Sequence, residues 1–323
     1  MTSDSRLYPE VRTLLQRIEA QGGPPIETLS PAEARQAVIE ALKETALESE
    51  PVASVSNLEI AQAKHRIPIR IFSPPGEGPL PCLVYFHGGG WVVCDLDTHD
   101  SVCRAIARRA TAVVVAVDYR LSPEHKFPAA VEDCFAAVQW VAANAAHLGI
   151  DPRRIAVGGD SAGGNISTVM CLKARDEGGP ELAMQVLVYP VTNLASFETA
   201  SYAEFGEGYY LTRAEMEWFR NQYLSDLEDA RSAYASPLLA ADLGGLPPAL
   251  VITAECDPLR DEGEAYARRL ALAGGEVTAT RYCGMIHPFF SLGGMLKQGP
   301  RAIEQVASAI AGLNPSRFGI CCK

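Results

Sequence analysis

Arg154-Ile155-Ala156-Val157-Gly158-Gly159-Asp160-Ser161-Ala162-Gly163 decides the fold. An apolar run stops at paired glycines, a serine follows, and Gly164-Asn165-Ile166-Ser167-Thr168-Val169-Met170 continues as a helix-like stretch. Strand, tight turn and helix in that order would hold the Ser161 hydroxyl on a sharp corner, inside a Gly-x-Ser-x-Gly pattern. Alone the pattern is weak, because glycine-flanked serines are common. It gains weight from His87-Gly88-Gly89-Gly90-Trp91, which also follows an apolar run. The first motif can present a nucleophile, and the second can supply backbone N–H groups where negative charge develops.

Outward from these motifs the chain alternates. Apolar runs occur at SVSNLEIA, RIPIRIFSP, PCLVYFHG, AVVVAVDY, RIAVGGDS, MQVLVYP, PALVITAE and EVTATRYC. The interior ones are nearly continuous in apolar residues, as strands buried on both faces must be. Helical spacing separates them in THDSVCRAIARRAT, FPAAVEDCFAAVQWVAANAAHLG, SAGGNISTVMCLKARD, GEAYARRLALAGG and RAIEQVASAIAGL. This alternation predicts a doubly wound, parallel sheet with its reactive residues at the carboxyl ends of the strands.

Two stretches stand apart. The first fifty residues are helical in spacing, with Pro24, Pro25 and Pro31 dividing two helices. A second strand-free stretch between Pro190 and Pro247 contains LTRAEMEWFRNQYLSD. An insertion after a strand end would lie over the reactive edge and pair there with the N-terminal helices; the alternative is an excursion on the far side of the sheet. The expected organisation is therefore residues 1–50 as the first part of a cap and 51–190 as the first part of a catalytic core. Residues 191–245 would complete the cap, and 246–323 the core.

Bulk properties agree with a compact enzyme-sized chain. Of 323 residues, 48% are hydrophobic and 21% charged, enough for a full core. A net charge of −11 argues against nucleic acid or anionic membrane as a partner, since both need basic surface. No apolar run reaches the length of a membrane span, and the acidic N-terminus has no signal-like core, which points to the cytoplasm. The nine cysteines form no Cys-x-x-Cys pair, so neither a disulfide framework nor a zinc site is indicated. Most are expected in the core, with Cys321 and Cys322 exposed in the tail. Neither a dinucleotide-binding nor a triphosphate-binding glycine motif occurs where it would be needed.

A serine hydroxyl needs a base, and the base needs a carboxylate to fix its tautomer. Where the serine sits on such an elbow, the three follow in chain order serine, acid, histidine. Of the six histidines only His287 follows Ser161, so His287 is the base. The acid is less forced. Asp257 comes just past the PALVITAE strand, Glu255 falls inside it, and Asp261 and Glu262 read as first-turn charges of the next helix. Asp257 is favoured, with Glu255 and Asp261 as rivals. Gly159, Ala162 and Gly163 are small enough for the turn. The amides of Gly88, Gly89 and Ala162 are the candidate oxyanion donors, and His87 would organise their loop.

HGGGW, DYRLSPEHKFPAA, GDSAGGN, DPLRDEG and GMIHPFF, in order from about Val52 to Leu313, together resemble the bacterial hormone-sensitive-lipase-like esterases. These form the GDSAG-type family IV of the α/β-hydrolase superfamily. The resemblance implies an α/β fold with a mostly parallel central sheet of about eight strands, flanking helices and a helical cap. It implies Ser161, Asp257 and His287 as triad and Gly88, Gly89 and Ala162 as oxyanion hole. It makes Asp118, Tyr119 and Arg120 a supporting structural motif. The implied substrates are small esters with short to medium acyl chains, with no metal or organic cofactor, and a homodimer is one assembly it allows.

Two departures stand out. Pro288 replaces the usual glycine after the histidine and could reposition the base. Cys94 replaces another glycine and could narrow the site or expose it to thiol reagents. A non-catalytic small-molecule receptor on the same fold is the rival reading, but such receptors lack the histidine that this chain keeps. Amides, carbamates or long-chain lipids are alternative substrates for the same machinery.

Overall fold

The computed structural model describes residues 4–313. Eight strands form one sheet: β1 (Ser54–Ala61), β2 (Arg66–Ser73), β3 (Leu80–Phe86), β4 (Val113–Val117), β5 (Ile150–Asp160), β6 (Met184–Val188), β7 (Ala249–Cys256) and β8 (Val277–Ile286). Their spatial order is β1-β2-β4-β3-β5-β6-β7-β8. β1 pairs antiparallel with β2, and β2 with β4; every other pairing is parallel.

The apolar runs are continuous because both sheet faces are covered. Along β3, Val84 and Phe86 join one core while Leu83 and Tyr85 join the other. Along β4, Val113, Val115 and Val117 face the first core, and Val114 and Ala116 the second. Packed on the sheet are α3 (Asp100–Ala110), α4 (Ala129–Ala143), α5 (Ala162–Glu177), α8 (Arg260–Leu272) and α9 (Gln298–Ala311). α1 (Pro9–Gln21), α2 (Pro31–Thr45), α6 (Ala200–Phe205) and α7 (Arg213–Tyr223) belong to the two strand-free stretches.

These stretches meet. Arg6 pairs with Glu204 at 2.6 Å, and the Tyr209 hydroxyl donates to Asp4 at 2.8 Å. α7 packs on the short helical turn Ile26–Thr28. α7 itself is started by Thr212, whose hydroxyl accepts the Glu215 N–H while the Glu215 carboxylate accepts the Thr212 N–H. Such a reciprocal cap satisfies two otherwise orphaned donors. The expected tail residues Cys321 and Cys322 lie outside the described residues.

Because β3, β5, β7 and β8 are parallel, His87, Ser161, Asp257 and His287 all emerge from one edge of the sheet. The tightest junction there is between β3 and the start of α5. A Cβ added at Gly163 would lie 1.9 Å from the Phe86 carbonyl oxygen, where only backbone could give way. Gly163→Ala is therefore expected to lower unfolding free energy by about 3 kcal/mol, the upper range for overpacking. Urea denaturation checks this, and a variant as stable as wild type would mean the turn does not pack on β3.

Candidate active site

Ser161 occupies the turn between β5 and α5 with φ 55°, on the left-handed side of the backbone map. Such a conformation costs a serine about 1–3 kcal/mol and persists only where the surroundings enforce it. Here its N–H donates to Val188 at 2.9 Å, and its carbonyl accepts Asn165 and Val191 N–H groups at 3.1 and 3.2 Å. The Ser161 hydroxyl and His287 Nε2 are 3.1 Å apart, and His287 Nδ1 and Asp257 Oδ2 2.9 Å. All three side chains are buried. The hydrogen bonding fits a Ser-His-Asp triad.

The structure also separates the rival acids. Asp257 Oδ1 accepts the Leu259 N–H at 2.8 Å, which leaves Oδ2 for the imidazole. Glu255 Oε2 instead accepts the Gly284 N–H at 2.7 Å, and Asp261 binds the Ser201 N–H and Arg260. Glu262 stands in the first turn of α8, as its position suggested. It is buried, and burial pushes its carboxyl up to about 8. Its Oε1 accepts the Thr192 and Asn193 N–H groups at 2.6 and 3.0 Å, tying α8 to the chain leaving β6. Pro288 does not displace the base, whose two hydrogen bonds are in place. The Tyr189 ring stands 4.3 Å from the His287 ring and backs it.

Above the serine runs the glycine loop. Gly89 has φ 99°, and a Cβ there would meet the Val93 carbonyl oxygen at 2.3 Å, so this position requires glycine. Ala162 is the first residue of α5, where the N–H has no intrahelical acceptor. The Gly88 N–H already donates to Asp160 Oδ1 at 3.2 Å. Sequence reading missed what holds this loop. Asp160 is buried and also accepts the Tyr85 hydroxyl at 2.7 Å. His99 Nε2 lies 3.2 Å from the same oxygen, without hydrogen-bond alignment. Burial alone would push the Asp160 carboxyl up, but the facing His99 ring and Tyr85 hydroxyl bring it below its ordinary range.

His87 organises the loop from within. Burial, with His99 nearby, lowers its imidazole to about 4, so a neutral ring donates from Nδ1 to the Gly88 carbonyl at 2.7 Å. Tyr119 stacks on it and donates to its carbonyl at 2.8 Å. Arg120 binds Asp133 through backbone and guanidinium, fixing the β4 end. Tyr119 thus supports the loop directly, while the Asp118 N–H donates to the Pro68 carbonyl at 3.0 Å.

A cavity opens over Ser161, lined also by Gly89, Gly90 and His287. Its roof comes from both strand-free stretches, with Val38 and Leu42 from one and Leu211, Met216 and Phe219 from the other. Cys94 lines it too, but burial pushes that thiol well up, so it stays protonated and poorly nucleophilic.

Comparison with known proteins fits this geometry. A family model described as alpha/beta hydrolase fold matches residues 83–291, and the chain belongs to that family. Carboxylic ester hydrolase LipN of Mycobacterium tuberculosis is 49% identical over 250 residues, 74% of this chain and 66% of that protein. The arylesterase of Saccharolobus solfataricus is 38% identical over 308 residues, covering 95% of this chain and 97% of its own length. Among solved structures, an alpha/beta hydrolase enzyme from the metagenome of Lake Arreo superimposes with a TM-score of 0.92 at 44% identity. That match covers 96% of this chain and 99% of the other. The hyperthermophilic esterase of Pyrobaculum calidifontis gives 0.91 at 45%, covering 95% and 98%. Membership agrees with the resemblance to hormone-sensitive-lipase-like esterases. No helix among the described residues is long and apolar enough to cross a membrane.

Proposed function

We propose that this chain hydrolyses carboxylic esters of small molecules through an acyl-enzyme, and that residues 1–50 and 191–245 act as its cap. The observation that carries the reading is the unbroken series from the Ser161 hydroxyl through His287 to Asp257, buried at a strained elbow. Ser161 Oγ attacks the ester carbonyl carbon as His287 Nε2 takes its proton. The tetrahedral oxyanion rests on the Gly89 and Ala162 amides, with Gly88 contributing a shared N–H. Collapse expels the alcohol, which receives the proton from His287. Water, deprotonated by the same imidazole, then attacks the acyl-enzyme and releases the acid. Asp257 holds the tautomer throughout.

The apolar, roofed cavity suits short to medium acyl chains. Activity on p-nitrophenyl esters from acetate to palmitate should peak at six carbons or fewer and be minimal at palmitate. A profile rising to palmitate would overturn the size reading, and no hydrolysis of any ester by folded protein would overturn the esterase reading. Seven free cysteines among the described residues agree with a reducing, cytoplasmic setting.

A further inference from the structure

We infer that Glu215, with the aromatic rings of Tyr210 and Phe219, forms a subsite for a cationic arm of the ester substrate, so that esters carrying an ammonium group are favoured over their uncharged isosteres. This rests on the esterase reading above. The observation behind it is a carboxylate in the wrong place for a purely apolar pocket. Glu215 lines the cavity over Ser161. It lines equally a second cavity, between α1 and α2, bounded by Leu14, Ile18, Pro25, Leu292 and Met295. Tyr210 and Ile26 are also shared, so these residues stand where the two cavities adjoin. Tyr210 is held there at φ 80°, a backbone conformation a tyrosine adopts only under constraint.

Glu215 has one oxygen committed, Oε2, which accepts the Thr212 N–H at 2.7 Å. Among the described residues it forms no ion pair. Of the charged and titratable groups around it, His287 favours its ionised form but is bonded to Ser161 and Asp257. Glu27, on the facing helical turn, repels it. His287 is the triad base. Burial, with Glu215 and then Cys94 nearby, pushes the Tyr210 hydroxyl up to about 12, so it stays neutral. Farther along the second cavity, Arg17 is already paired with Glu44, and Glu19 adds negative charge. Burial, reinforced by Glu27, raises the Glu215 carboxyl to about 7. A ligand cation would supply the missing partner, and an ammonium group also gains from the faces of Tyr210 and Phe219. The net charge of −11 would draw cations toward the mouth.

Two isosteric pairs test this. One is acetylcholine and 3,3-dimethylbutyl acetate, which put the cation on the alcohol arm. The other is p-nitrophenyl 4-(trimethylammonio)butanoate and p-nitrophenyl 5,5-dimethylhexanoate, which put it on the acyl arm. In at least one pair, wild type at pH 8.5 should show kcat/KM about tenfold higher for the cationic ester, the effect of one partly desolvated charge contact. Glu215→Gln, which keeps an oxygen for the Thr212 cap, should bring that ratio to near one. In wild type the ratio should fall as pH drops from 8 to 6, since protonation through about 7 removes the charge. Titration of the triad acts on both members of a pair and cancels in the ratio. Ratios near one in both pairs, or ratios unchanged by Glu215→Gln, overturn the subsite. Failure of p-nitrophenyl acetate hydrolysis as well would bring down the esterase reading, and the subsite with it.

Discussion

Replacing Ser161 by alanine is expected to lower kcat/KM for p-nitrophenyl acetate by at least about 10⁴-fold, the scale on which loss of a triad nucleophile acts. Removing Oγ leaves the carbonyl carbon without an attacking atom and His287 Nε2 without its 3.1 Å partner. What survives is the oxyanion site and the cavity. The fold should survive too. Alanine at φ 55° carries the same left-handed strain as serine, because both have a Cβ. The enforcing backbone bonds to Val188, Asn165 and Val191 do not involve the hydroxyl. The thermal midpoint should therefore stay within about 4 °C, roughly the shift that 1 kcal/mol produces in a domain of this size. Steady-state kinetics and a melting curve on the same preparation decide it. An alanine variant within tenfold of wild type would place the chemistry elsewhere.

Legibility from sequence followed how local each determinant is. The eight strands were readable because each interior run has to satisfy two apolar faces, as the alternate sides of β3 and β4 do. His287 was forced by chain order alone. The acid was not: Asp257, Glu255 and Asp261 lie within seven residues, and only the backbone decides which carboxylate faces the imidazole. Asp257 does so because β7 ends at Cys256 and the Leu259 N–H fixes its other oxygen. Glu262 was only half legible, for the complementary reason. Its place in the first turn of α8 is local information, but its burial against Thr192 comes from the β6 connection, some 70 residues away in sequence. The props of the glycine loop were hidden likewise, since Tyr85, His99 and Asp160 come from three separate elements. Glu215 left one trace, the Thr212-x-x-Glu215 spacing of a helix start. Nothing in that spacing tells which cavity the carboxylate enters, because the packing of α7 on the turn Ile26–Thr28 sets it.

Asp257→Asn should be nearly as damaging as loss of the serine, with kcat/KM falling by about 10³- to 10⁴-fold, the scale this exchange has in other triads. The reason lies in the two bonds that Asp257 makes. Its Oδ1 accepts the Leu259 N–H at 2.8 Å and its Oδ2 faces His287 Nδ1 at 2.9 Å, with the residue fully buried. An asparagine has one oxygen and one NH₂ to fill these places. Setting the NH₂ against Leu259 would oppose two donors in a buried site, which costs about 1–3 kcal/mol. The oxygen therefore goes to Leu259, and the NH₂ donates to Nδ1. That bond stabilises the tautomer whose proton sits on Nε2, the nitrogen that has to accept the Ser161 proton. The base is present, correctly placed and unable to act. KM should change little, because the cavity is untouched, and the loss should appear in kcat. Retention of more than a tenth of wild-type kcat would mean that another carboxylate orients His287, yet Glu255 and Asp261 are already bound to Gly284, Ser201 and Arg260. The same exchange leaves the Gly89 and Ala162 amides in place, so binding of a phosphonate ester mimic should weaken far less than turnover. Separating those two numbers distinguishes a misdirected proton from a collapsed site.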